Sequence, residues 1–201
     1  DMGNLKDIHR HEITRTREIA RRLIEKKEVS MISKILLLPF YAIAILRYRR
    51  TITKTSKNLF FTQQLAMDAA ESIKQGKDRK RALLDVDAGT REILAKEDKG
   101  LYTEKVRRKQ LQEIEFLTDH YLRLLKANGE GYDQMVKAAY KSKKEYLAFL
   151  KKLNGKGQEV IQASVATVRT GSKKERMTWY RKVQDAIQDA RRDEVDAIFG
   201  S

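Results

Sequence analysis

The chain has 201 residues, 43 Lys and Arg against 28 Asp and Glu, a formal net charge of +15, no cysteine and one proline. The absence of thiols excludes disulfides and thiolate metal centres, and a hydrophobic fraction of 41% excludes wholesale disorder. One proline and ten glycines leave few interruptions, so long helices are expected, and the positive field attracts phosphates, anionic lipids and acidic protein faces alike. The first thirty residues are polar and charged, without the apolar stretch of a cleaved signal peptide, which predicts an intracellular protein. Met2-Gly3 does not make a myristoylation site, because Asp7 stands where that motif uses Ser or Thr.

In chain order, residues 4–29 read as a basic helix with a thin apolar stripe of Ile13, Ala20, Leu23 and Ile24. Residues 31–46 change character abruptly, and twelve residues from Ile35 to Leu46 are apolar on every side. A helix over 59–75 follows, with Asn58 as its expected N-cap and Leu59, Leu65, Ala66, Ala69 and Ile73 inward. Residues 76–81 form a charged linker, and 82–98 a weaker helix interrupted by Gly89. Leu111, Ile114, Leu117, Tyr121 and Leu124 recur at three- and four-residue spacing, the clearest amphipathic stripe in the chain, and Asn128-Gly129-Glu130-Gly131 stops it. A helix over 132–153 is predicted with Tyr132, Met135, Val136, Ala139, Tyr146, Phe149, Leu150 and Leu153 inward. Asn154-Gly155-Lys156-Gly157 reads as its C-cap. A further helix covers 158–169, with Val160, Ile161, Val165 and Val168, and Gly171 breaks it. Ser172 and Glu175 have capping-box spacing and start a last helix, with Met177, Tyr180, Val183, Ile187, Ala190 and Ile198 inward.

The fold expected is all-α: an antiparallel up-and-down helical bundle over 101–201, joined through a charged linker and short helix at 77–100 to an N-terminal region, 1–76. That region holds the basic helix and the apolar segment, and can pack on the bundle or stand apart.

The segment 31–50 carries the most functional information. Its apolar run would span about 18 Å as a helix against about 30 Å of bilayer core, so it is too short to cross, and Pro39 would kink it. One reading is an in-plane or re-entrant anchor, with Leu36, Leu37, Phe40, Tyr41, Ile43 and Leu46 in contact with the membrane. Lys34, Arg47, Arg49, Arg50 and Lys54 would then bind anionic head groups. The other reading is the buried centre of a bundle.

For nucleic acid, Arg15, Arg22, Arg107 and Arg108 are the candidate phosphate contacts, although no helix-turn-helix, zinc-finger or RNP pattern accompanies them. Chemistry finds little footing. His9 and His11, two apart on a helix, do not share a face as i, i+4 metal ligands do, and His120 beside Asp119 lies at the edge of an apolar stripe. Asp85-Val86-Asp87 opens like a calcium loop, yet Lys96 occupies the position of its bidentate Glu. Glu113 with Glu115, and Asp193-Glu194 with Asp196, lack the Glu-x-x-His companions of a di-iron bundle. No cofactor, metal or catalytic residue is expected. The sequence therefore points to a non-enzymatic basic helical protein that associates peripherally with an anionic membrane surface and carries a protein partner. Two alternatives stand beside it: a nucleic-acid-binding helical protein, and a helical scaffold in a protein complex.

Overall fold

The computed structural model describes residues 2–25, 60–97, 100–167 and 171–200. These form seven helices: α1 Met2–Glu25, α2 Phe61–Lys74, α3 Arg79–Lys96, α4 Glu104–Leu125, α5 Tyr132–Tyr140, α6 Lys143–Val165 and α7 Lys173–Phe199. No strand occurs among the described residues, and the architecture is the all-α bundle that the helical periodicity predicts. The membrane-contact set and the anion-binding set of 31–54 lie outside the described residues, as do Asn58 and Leu59.

Four helix starts are fixed by side chains that accept from backbone N–H groups otherwise left without partners. Asp78 accepts from Arg81, Thr103 from Val106, and Ser142 from Glu145. Ser172 and Glu175 complete the reciprocal capping box that their spacing predicts. At α2 the cap position is Phe60, which makes no side-chain capping bond.

The structure corrects three sequence readings. The helix expected over 132–153 is two helices, broken where Lys141 takes a positive φ of 58° and Ser142 begins α6 afresh. The stop expected at Asn154-Gly155-Lys156-Gly157 is no stop, since α6 runs through it; none of these residues has a positive φ. A Cβ at Gly157 would lie 3.3 Å from Glu113 Oε1, so this glycine serves a close approach between α6 and α4 rather than a turn. Gly89 likewise lies inside an unbroken α3. On the last helix, Val183, Ile187, Ala190 and Ile198 are buried as expected, while Met177 is exposed.

Contacts between helices fix their directions. Gln110 donates to Thr62 near the start of α2, and Lys74 donates to the Leu125 carbonyl near the end of α4, so α2 and α4 run parallel. Arg79 reaches Asp119 and Arg107 reaches Asp87, which makes α3 antiparallel to α4. Lys109–Glu159 and Arg123–Glu145 make α6 antiparallel to α4 as well. Lys143–Asp196 and Gln162–Tyr180 turn α7 back again. Helix α1 starts beside Ala127, to whose carbonyl Asn4 donates, and descends along α7. One core joins Ile8 of α1, Met67 and Ala70 of α2, Ile114, Leu117 and Tyr121 of α4, Met135 of α5, Leu150 and Leu153 of α6, and Val195 and Ile198 of α7.

One topological consequence matters for function. Ile19 of α1, Gln63 of α2 and Val160 of α6 line a common cavity, so the chain leaves α1 and re-enters at α2 at the same end of the bundle. The start of α4 and the close of α6 share that end, since Thr167 donates to the Leu101 carbonyl. The exposed lysines Lys96, Lys105, Lys173 and Lys174 belong to it too.

Candidate functional site

Three features could do more than hold the fold. The first is a buried ionic cluster. Helix α1 turns Ile8, Glu12, Arg15, Thr16 and Ala20 inward, along one face at helical spacing, so two charges enter the core. Arg15 donates to Glu12 at 2.5 Å and to Glu194 at 3.1 Å, and His11 Nε2 lies 2.9 Å from the same Glu194 oxygen. Tyr146 donates to the other Glu194 oxygen, and Tyr132 stands 3.3 Å from the Tyr146 hydroxyl. Burial by itself pushes the Glu194 carboxyl up. The Arg15 guanidinium and the hydrogen bonds of His11 and Tyr146 more than reverse this, holding it well below the usual carboxylate range. Every charge has an opposite partner, so the cluster ties α1, α6 and α7 together.

The second feature is a polar cavity beside that cluster, lined among others by Arg15, Gln63, Glu113, Asn154, Gln184 and Arg191. Arg191 donates to Asn154, and the buried Oε1 of Gln63 has no protein partner. Burial pushes the Glu113 carboxyl up to about 7 against the opposing pull of Arg191 and Lys156. The cavity volume is about 30 Å³, room for roughly two water molecules and too little for an organic substrate.

The third is an open cleft of about 310 Å³ between α4 and α6, closed at one side by Tyr140. Phe149 stacks on His120 with centroids 4.3 Å apart and on Phe116 at 5.3 Å. Lys156 lies 5.5 Å over the Phe116 ring, and Arg123 4.3 Å over the Tyr140 ring. His120 Nδ1 shares a 2.6 Å hydrogen bond with the Tyr140 hydroxyl. Burial, with Arg15 nearby, pulls this imidazole down to about 3, so it stays neutral. The carboxylates of the rim are taken: Asp119 by Arg79, and Glu145 by Arg123. Lys152, also on the rim and exposed, makes no ion pair among the described residues.

The four arginines suggested for nucleic acid do not form one surface. Arg15 is interior, as described, and Arg107 is 2% exposed, bonded to Glu104, Asp87 and Thr90. Arg22 is paired with Glu18 and Asp193, and Arg108 with Glu104. Of the histidines, His11 and His120 enter separate networks. Among the described residues no group of three or more His, Asp or Glu is arranged to hold a metal ion.

Sequence reasoning missed the ionic cluster. Its signal was the spacing of Glu12 and Arg15 on the face that continues Ile8 and Ala20; reading that face by hydrophobicity alone passes over both. It also missed the cleft, because Phe116 and Phe149 occupy the margins of their stripes. No protein-family model, curated protein or solved structure matches the chain.

Proposed function

We propose that this protein is a non-enzymatic binding module that attaches peripherally to an anionic membrane surface through residues 31–50, its bundle carrying a protein partner at the α4–α6 cleft. The observation that carries the membrane reading is the exit and re-entry of the chain at one end of the bundle. Between Glu25 and Phe60 the sequence holds twelve consecutive apolar residues bracketed by Lys34, Arg47, Arg49, Arg50 and Lys54. The end from which they depart exposes Lys96, Lys105, Lys173 and Lys174. Each basic residue near an anionic leaflet contributes about 1 kcal/mol, which adds to the burial of the apolar groups. No helix among the described residues is long and apolar enough to cross a membrane. The described helices also bury a continuous core between themselves, which lends weight to lipid over core as the destination of Leu37 and Ile43.

The test is flotation with anionic and neutral vesicles, comparing the intact chain with a Leu37→Asp, Ile43→Asp variant first shown by circular dichroism to stay folded. The intact chain should float with anionic vesicles and the variant should stay at the bottom of the gradient. An intact chain that does not float, or a folded variant that floats equally, overturns the reading. Binding to an RNA or DNA oligonucleotide that survives deletion of 31–50 and weakens steeply with salt would install the nucleic-acid alternative in its place.

A further inference from the structure

We infer that the cleft between α4 and α6 receives a large apolar side chain from an acidic peptide segment of a partner protein, an inference that rests on the reading of the bundle as a partner-carrying module. Size and lining come first. At about 310 Å³ the cleft lies at the small end of ligand pockets, and its walls are mainly Phe116, Phe149 and Tyr140 with Ala148 at the margin. A single aromatic or branched aliphatic anchor matches that volume, the kind of group that dominates protein interfaces.

The engagement of the rings argues for an anchor over a nucleobase. A base needs a bare ring face to stack on. Here Phe149 already stacks on His120 and Phe116, while Lys156 lies over Phe116 and Arg123 over Tyr140. The neutral His120, hydrogen-bonded to Tyr140, adds no charge to the wall.

Charge complementarity names the rest of the partner. Residues 126–156, which run from the end of α4 through most of α6, hold eight lysines against three acids. Glu145 is spent on Arg123, and on the facing helix Asp119 is spent on Arg79. Lys144, Lys151 and Lys152 are exposed and form no ion pair among the described residues, at helical offsets from Ala148 that place them around the mouth of the cleft. Exposed Leu147 extends the apolar margin along α6. An apolar anchor flanked by Asp or Glu fits both the floor and the rim.

The experiment is selection of a phage-displayed random peptide library on the intact chain in lipid-free buffer, so that failure of vesicle flotation leaves it unaffected. Selected peptides should carry one Phe, Trp, Tyr or Leu flanked by acidic residues. Ala148→Trp, which fills the cleft from an exposed position, should weaken their binding at least tenfold. Lys151→Glu, Lys152→Glu should do the same, whereas Lys96→Glu, Lys105→Glu, an equal charge change at the far end of the bundle, should leave affinity within about twofold. Circular dichroism establishes that each variant is folded. Failure to enrich any peptide, enrichment of neutral or basic peptides, equal binding to folded Ala148→Trp, or equal weakening by both charge reversals overturns the proposal. So does a polyuridylate RNA that binds the intact chain and is displaced by Ala148→Trp.

Discussion

Glu194 is the residue on which three helices converge. It accepts from His11 and Arg15 of α1 and from Tyr146 of α6 while belonging to α7. Replacing it by Gln removes the charge that balances Arg15 but leaves the guanidinium inside, where a buried ion without its partner is strongly destabilising. Glu194→Gln should therefore lower the free energy of unfolding by about 2–4 kcal/mol, with Glu12 keeping part of the compensation, as read by urea denaturation at pH 7. A loss below about 0.5 kcal/mol would mean that Glu12 alone satisfies Arg15. Tyr146→Phe removes one neutral donor to a carboxylate and should have a smaller effect, of order 1–2 kcal/mol.

At the level of the helices, what could be read in advance depended on how each signal is written. The stripe Ile114, Leu117, Tyr121 and Leu124 is apolar at helical spacing, and all four are buried. The capping box at Ser172 and Glu175 was equally plain. The same Ser-x-x-Glu spacing occurs at Ser142 and Glu145, and it does start a helix there. It was obscured because apolar residues continue in phase on both sides, from Tyr132 to Ala139 and from Tyr146 to Leu153. Asn154-Gly155-Lys156-Gly157 misled in the opposite sense: glycine marks a C-cap only where the backbone takes a positive φ, and a glycine chosen for close packing looks identical in sequence. The apolar character of 31–46 was legible, but the destination of those side chains is a matter of tertiary context that composition does not encode. Two substitutions check the helix account. Gly155 has open space around its Cβ position and no positive φ, so Gly155→Ala should raise stability by about 0.5–1 kcal/mol. Ser142→Ala should lower it by about 1 kcal/mol through loss of the cap. Thermal or urea unfolding of both variants would show opposite shifts; a destabilising Gly155→Ala would indicate that α6 does not run through that point.

For the whole molecule, three ionisable groups in or beside the core shape stability against pH. Glu113, raised from 4.5 to about 7, binds its proton more readily folded than unfolded, so stability falls as pH rises from 4.5 to 7. His120, lowered from 6.5 to about 3, binds its proton more readily unfolded, so its contribution is complete above 6.5 and is lost as pH falls towards 3. Glu194, held below its ordinary value, contributes above about 4.5 and fails on further acidification. Between 6.5 and 4.5 the first two effects oppose each other. The unfolding midpoint should stay nearly level across that window and drop steeply below it. Glu113→Gln removes the offset: the variant should exceed the parent by on the order of 1–3 kcal/mol at pH 8, less than full burial would imply because the side chain is partly exposed. Its decline should begin near 6.5 instead of 4.5. Parallel pH profiles of the two proteins would settle whether Glu113 carries that offset.

The Glu194 contacts also have a meaning in time. During synthesis the carboxylate that His11 and Arg15 share follows them by 183 and 179 positions. At about 5–20 residues per second that interval is roughly ten to forty seconds. Throughout it, α1 has only Glu12 to answer its guanidinium and keeps that pair in water. Helix α1 is thus made well before the partner that lets it become interior, and a ribosome that stalls before α7 holds a chain in which α1 is still open to capture.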